Sequence, residues 1–288
     1  MPELPEVETV RRGLEPVLVG TPITQVRVGE KRLRLPYPEH FAARLAGRTV
    51  ESLARQGKFL IAMLDSQEAL IIHLGMSGSF LVLGGAEAHG TGNGAAARHT
   101  HVVFHLVDGT EIRYADPRRF GLMTLASAAG LASHPLLARM GPEPLGNEFN
   151  AGHLGAALAG RRTSLKAALL DQHVVAGLGN IYVSEALHAA GLAPTREAAS
   201  LGAGKRQGAA ACEKLAAAVR EVLLSAIAAG GSSLRDHART DGTLGYFQHS
   251  FKVYGRGGEP CRRAGCPGTI KRLIQNGRSS FYCPRCQH

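Results

Sequence analysis

Four of this chain's five cysteines, Cys261, Cys266, Cys283 and Cys286, fall within the last 28 of its 288 residues. They run Cys-x4-Cys, sixteen residues, then Cys-x2-Cys, a spacing that brings four thiols to one point. Four thiolates in tetrahedral array suit one zinc ion, and a closed set of four leaves no open coordination position, so the metal is structural. Between the pairs lies "GTIKRLIQNGRSSFY", in which Asn276-Gly277 is the preferred dipeptide of a two-residue hairpin turn. The spacing therefore predicts a β-hairpin with the cysteine pairs at its base and Arg278 beside its tip. Five strand residues put that guanidinium roughly 15 Å from the metal, presented outward. Taken alone, Arg278 reads as a solvated turn residue. Cys212, in a helical stretch, reads as a small buried apolar residue.

The charge narrows the partner. Thirty-three Lys and Arg against 23 Asp and Glu leave +10, with arginine well in excess of lysine, which favours a polyanion and phosphate recognition. Hydrophobic content is 44%, and no stretch approaches a membrane span. The first residues are acidic and proline-rich, unlike a secretory signal, which predicts a cytoplasmic protein without a disulfide framework.

Along the chain, residues 4–19 read as a helix, with Pro5 in its first turn, Glu6 and Glu8 at its positive end and Val7, Val10 and Leu14 on one face. Residues 20–125 carry short β-branched runs, "ITQVRV", "TVESLAR", "KFLIAML", "ALIIHLG", "SFLVLG", "THVVFHLV" and "EIRYAD", separated by turn residues, as in a β-sandwich or barrel. Residues 84–98 are small-residue low complexity and read as a surface loop. A proline-bearing linker spans 126–150. Helical periodicity follows to about 230, including an amphipathic run from Lys205 to Ala229, and residues 231–250 read as a polar loop.

Several segments together resemble one family. "PELPEVETVRRGLEP" at the start, "GKFL" (57–60), "HLGMSG" (73–78), "DPRRFG" (116–121), "GLGNIYVSEALHAAGLAP" (177–194), "DGTLGYF" (241–247), "VYGRGGEPC" (253–261) and the cysteine hairpin are all similar to formamidopyrimidine-DNA glycosylases. The related endonuclease VIII branch shares the N-terminal proline and glutamate, usually has glycine where Leu4 stands, and lacks "DPRRFG". One departure is Cys-x4-Cys where the family commonly has Cys-x2-Cys; the extra pair, within "RRAG", widens the first knuckle without removing a ligand.

The resemblance implies an α+β protein. A catalytic β-sandwich domain with flanking helices would occupy 1–125, followed by the linker at 126–150. A helical helix–two-turn–helix domain with a lesion loop would span 151–250, and a zinc-finger hairpin 251–288. It implies a monomeric, bifunctional DNA glycosylase and abasic-site lyase acting on double-stranded DNA that contains oxidised bases or abasic sites. Such an enzyme removes oxidised purines (8-oxoguanine and formamidopyrimidines) and cuts the strand by β,δ-elimination, in the cytoplasm with the nucleoid.

It also gives the N-terminus a chemistry. Removal of Met1 leaves Pro2 with a secondary α-amine, a group with an ordinary pKa of about 7.7–8.0 against about 10.4 for lysine, so part of it is unprotonated near neutrality. Its Schiff base with deoxyribose is a permanently charged iminium, an electron sink that promotes strand cleavage. Glu3 would move protons to the sugar oxygen or the departing base, and Glu6 would position Glu3 or a water. On local chemistry alone, the same residues make a well-started helix.

Lys58 and Arg278 resemble the family's phosphate contacts that assist the two eliminations. Extruding a nucleotide leaves a hole, which Met76, Arg118 and Phe120 resemble the residues that fill. Asn180, at a glycine-led helix start, suits phosphate. His99 and Arg162 resemble the family's residues that contact backbone phosphates. Two competing readings keep parts of this picture: the same chemistry on oxidised pyrimidines, and a catalytically silent zinc-containing sensor of damaged DNA.

Overall fold

The computed structural model describes residues 1–84, 99–205, 208–232, 240, 243 and 245–288. The low-complexity stretch at 84–98 therefore lies outside the described residues except for Gly84, as do ten of the twenty residues of the polar loop at 231–250. The chain divides into two compact units, Met1–Ala138 with Ala229–Tyr246, and Arg139–Ala228 with Phe247–His288.

The first unit begins with α1 (Leu4–Leu18). Val7, Val10, Leu14 and Leu18 recur every three or four residues and are buried together, which is why this amphipathic stretch folds as a helix against the sheets. Eight strands follow: β1 (Ile23–Val28), β2 (Val50–Gln56), β3 (Phe59–Leu64), β4 (Glu68–His73), β5 (Ser79–Leu83), β6 (Thr100–Leu106), β7 (Glu111–Ala115) and β8 (Leu122–Ser127). They form two antiparallel sheets, ordered β2-β3-β4-β8 and β1-β6-β7-β5. Leu53, Leu60, Ala62, Leu70 and Ile72 of the first sheet meet Val26, Phe80, Val102, Phe104 and Ile112 of the second in one core, joined by the face of α1 and by α2 (Phe41–Leu45). The β-sandwich is thus present, built from alternate residues on facing strands.

Two elements go beyond the sequence reading. β8, "LMTLAS", pairs with β4 in full register from Glu68↔Ser127 to His73↔Leu122, and so carries regular structure past position 125. Helix α2 is a single short turn anchored by buried Phe41 and Leu45. Residues from 229–246 also group with the first unit. The Ser232 N–H donates to Glu6 Oε1 at 2.8 Å, and the Val82 N–H donates to the Thr240 carbonyl at 2.9 Å.

Part of the arginine excess is structural. Glu8 is buried among Arg11, Arg12 and Arg55, all within ion-pair distance. Burial pushes its carboxyl up, and the three guanidiniums outweigh burial and leave it below its usual value.

The second unit holds α3 (Ala151–Leu158), α4 (Leu165–Leu170), α5 (Asn180–Ala190), α6 (Gly208–Ala228) and the hairpin β9 (Lys271–Gln275) and β10 (Arg278–Tyr282). Asn150 caps α3 by accepting the His153 N–H at 3.0 Å, and α5 stops at Gly191, whose φ of 72° is left-handed. Cys212 is buried in α6, as its apolar surroundings in sequence suggest. Glu185, in the middle of α5, accepts the main-chain N–H groups of Lys252, Val253 and Tyr254 at 2.8–3.0 Å and so fixes the segment that leads into the cysteines. Glu185→Ala leaves these donors without their charged acceptor and should cost roughly 3 kcal/mol, read as a lowered denaturant midpoint for the second unit.

Candidate active site

At the start of α1, Pro2 and Glu3 are buried, Glu3 with 2% of its surface exposed. Glu6, one turn on and equally buried, holds them. Its Oε2 accepts the Glu3 N–H at 2.8 Å, and its Oε1 accepts the N–H (2.8 Å) and hydroxyl (3.0 Å) of Ser232. Glu6 therefore pins the backbone of Glu3 and ties the head of the helix to the segment after Ala229. A buried carboxylate that accepts from three donors is fixed in place, which suits a positioning role.

The segments "HLGMSG" and "DPRRFG" come together as one platform. Gly75 has a φ of 65°, and a Cβ there would sit 2.3 Å from the Gly121 nitrogen, so the two turns stack main chain on main chain. Asp116, fully buried, ties them. It accepts from the Ser77 hydroxyl at 2.6 Å and the Gly121 N–H at 2.8 Å, and the Arg118 N–H donates to Ser77 Oγ at 3.1 Å. Met76 is half-buried on this platform, whereas Arg118 and Phe120 are exposed, with the guanidinium carbon 4.9 Å from the ring centre. Phe120 is 46% exposed, and such a ring on a rigid turn suits insertion into a base stack better than core packing. His99 adjoins the platform through its carbonyl, which accepts the Asp116 N–H at 3.0 Å, and its surface is exposed.

Lys58 is 8% exposed, in the β2–β3 turn beside Phe59, which pairs with His73 across the sheet. The His73 ring packs at a tilt against Phe59, centroids 4.9 Å apart, and accepts the Gly75 N–H at Nδ1. Burial, with the Lys58 and Arg34 charges beside it, pushes His73 down to about 4. The sequence reading assigns no role to His73 or Asp116, although both lie inside quoted segments. A histidine and an aspartate flanked by turn glycines were the available signal.

In the second unit, Asn276 and Gly277 have φ of 48° and 73°, the left-handed pair of the expected tight turn, and Arg278 stands exposed as the first residue of β10. The next residue is clamped: the Ser279 carbonyl accepts from Lys166 Nζ at 2.9 Å and from Asn180 Nδ2 at 3.0 Å, and Lys166 also donates to Ser280 Oγ at 2.7 Å. Lys166, 1% exposed, escapes the sequence reading because "SLKAALL" reads as an ordinary helix face. A pocket of about 230 Å³ lined by Lys166, Asp171, Gln275, Asn276 and Arg278 opens here. Arg162 is exposed in the turn before α4.

The four cysteine sulfurs lie within 4.8 Å of one another, with Cys261–Cys286 at 3.8 Å and Cys266–Cys283 at 3.7 Å. Tetrahedral zinc with bonds of about 2.3 Å requires sulfur separations of about 3.8 Å, whereas a disulfide requires about 2 Å. The cluster fits zinc.

Because the folded His73 ring binds its proton more weakly than the unfolded ring, its contribution to stability is complete above about pH 6.5 and erodes as pH falls toward about 4. Stability should decline across that window by up to about 1.4 kcal/mol per pH unit, and His73→Asn should flatten the slope in a pH series of urea melts.

Comparison with known proteins agrees with this geometry. Residues 1–123 match the family model "Formamidopyrimidine-DNA glycosylase N-terminal domain", 140–238 the "Formamidopyrimidine-DNA glycosylase H2TH domain", and 258–288 the "Zinc finger found in FPG and IleRS". The cluster of Cys261, Cys266, Cys283 and Cys286 is accordingly the ligand set of one structural zinc. Formamidopyrimidine-DNA glycosylases of Beijerinckia indica and Azorhizobium caulinodans are 55% and 56% identical, each match covering 100% of both chains. Among solved structures, a Lactococcus lactis FPG variant in complex with DNA containing Fapy-dG superposes with a TM-score of 0.85 at 33% identity, covering 100% of both chains. The MutM (FPG) protein of Thermus thermophilus gives 0.83 at 38%, covering 99% of this chain and 98% of its own. The buried N-terminal Pro-Glu pair, the two-turn platform and the four-cysteine hairpin thus sit in a chain that belongs, over its whole length, to the formamidopyrimidine-DNA glycosylase family.

Proposed function

We propose that this protein is a base-excision repair enzyme of the cytoplasm that removes oxidised purines, 8-oxoguanine and formamidopyrimidines, from duplex DNA and then cuts the strand. The observation that carries the reading is the immobilised, buried Pro2-Glu3 pair at the head of α1, held through Glu6. The Lactococcus lactis relatives whose structures hold Fapy-dG DNA and abasic-site DNA support the substrate class.

In this mechanism the Pro2 nitrogen, exposed by loss of Met1, attacks C1′ of the extruded nucleotide while the bond to the base breaks, and Glu3 moves the proton that the ring oxygen or leaving base requires. The C1′–O4′ bond then breaks as the ring oxygen takes a proton, which opens the sugar and leaves an iminium that acidifies C2′. Loss of that proton expels the 3′ phosphate, and a second elimination expels the 5′ phosphate. Lys58 and Arg278 stabilise the phosphates as they depart. Met76, Arg118 and Phe120 fill the vacated stack, and Arg118 offers donors to an orphaned cytosine, biasing the enzyme toward lesions opposite that base. Asn180, with the N–H groups that open α5, and the exposed His99 and Arg162 hold the DNA backbone. Zinc keeps the hairpin folded and so presents Arg278; it takes no part in bond breaking.

Borohydride reduction during turnover on an 8-oxoguanine:cytosine duplex should leave one covalent adduct on the N-terminal peptide. Pro2→Gly, or retention of Met1, should cripple turnover while duplex binding persists, and Glu3→Gln should slow base release by about 10²–10⁴. An adduct on a lysine side chain, or full activity with Met1 in place, overturns the assignment. Faster excision of thymine glycol than of 8-oxoguanine would place the protein among pyrimidine-directed enzymes instead.

A further inference from the structure

The zinc site receives a hydrogen-bond partner from outside the hairpin. His188, near the C-terminal end of α5, is 4% exposed, and its Nε2 lies 3.4 Å from Cys261 Sγ and 3.9 Å from Cys286 Sγ. Its helix neighbours Leu187 and Ala190 are buried and apolar, so packing alone would be met by an apolar side chain here. A ring N–H buried without an acceptor is costly, and the thiolates are the acceptors its Nε2 faces.

The electrostatics of the site call for such a donor. Four thiolates around a divalent ion leave a net charge of about −2, mostly on sulfur. His188 places a side-chain nitrogen beside one cysteine of each pair, Cys261 and Cys286. The longer first knuckle completes the arrangement, because the Arg263 guanidinium donates to the carbonyls of His188 and Ala189 in the last turn of α5, where a cation is favoured. The same knuckle thus grips the helix end that delivers the imidazole.

We propose that His188, as its Nε2–H tautomer, is a positioning residue for the zinc, sharing the charge of Cys261 and Cys286 and making metal retention depend on helix α5. The inference extends the zinc site and is independent of the excision chemistry.

The test is zinc release from the full-length, zinc-loaded protein to a chromogenic chelator in excess. His188→Phe, which keeps a buried ring and removes the donor, should release zinc about 10–100-fold faster, the range typical of lost outer hydrogen bonds. His188→Gln, whose amide can donate, should stay much nearer the parent rate. Equal rates for parent and His188→Phe overturn the proposal, and so does a His188→Gln protein as leaky as His188→Phe, since packing alone would then be at stake. If the variants do not fold, long-range ¹H–¹⁵N spectra of the unaltered zinc protein decide. A proton on Nε2 of His188 supports the proposal, and a proton on Nδ1 with a bare Nε2 refutes it.

Discussion

The first residues of a chain are usually its least ordered, because they have little to pack against. Here Pro2 and Glu3 are buried, and the Glu6 carboxylate is the group that keeps them so, by accepting main-chain N–H donors from both Glu3 and Ser232. A nucleophile at the end of a polypeptide loses its advantage unless its backbone is held within a fraction of an ångström of the reacting carbon. For Pro2 as the proposed nucleophile, the buried Glu6 carboxylate meets that demand while also completing the capping box of α1. The same carboxylate holds a segment more than 220 residues away, as Ser232 is from Glu6, in the first unit.

Buried carboxylates that collect donors recur. Asp116 binds Ser77 and Gly121 and so makes one platform of two turns, and Glu185 binds three consecutive N–H groups ahead of the cysteines. Each fixes irregular backbone that no sheet or helix ladder would satisfy. In each case the fixed segment adjoins side chains assigned to DNA or to metal: Met76, Arg118 and Phe120 at the platform, and the hairpin at the second unit. These irregular segments are held because a single buried carboxylate takes up several of their main-chain or side-chain donors.

The basic charge divides in the same way. Arg11, Arg12 and Arg55 neutralise Glu8, and Arg263 caps a helix, whereas Arg118, Arg162 and Arg278 remain exposed. Net charge alone could not make that division. Lys166 is the sharpest case: a lysine by sequence, yet a buried strut whose ammonium fixes the strand beside Arg278.

By itself the sequence determined what local rules govern. The cysteine spacing and Asn276-Gly277 specify the zinc hairpin, alternating β-branched runs specify seven strands of the sandwich, and the 3–4 spacing of Val7, Val10 and Leu14 specifies α1. Those signals are legible because each depends on neighbours within a few residues. The quoted family segments carried the candidate site in the same way, residue by residue. The tertiary structure alone decided that β8 completes the first sheet, that Ser232 meets Glu6, that Gly75 stacks on Gly121, and that His188 faces a cysteine 73 positions onward. Such contacts join residues far apart in the chain, where no periodicity records the pairing, and their free energy comes from satisfying buried polar groups that only the folded protein brings together.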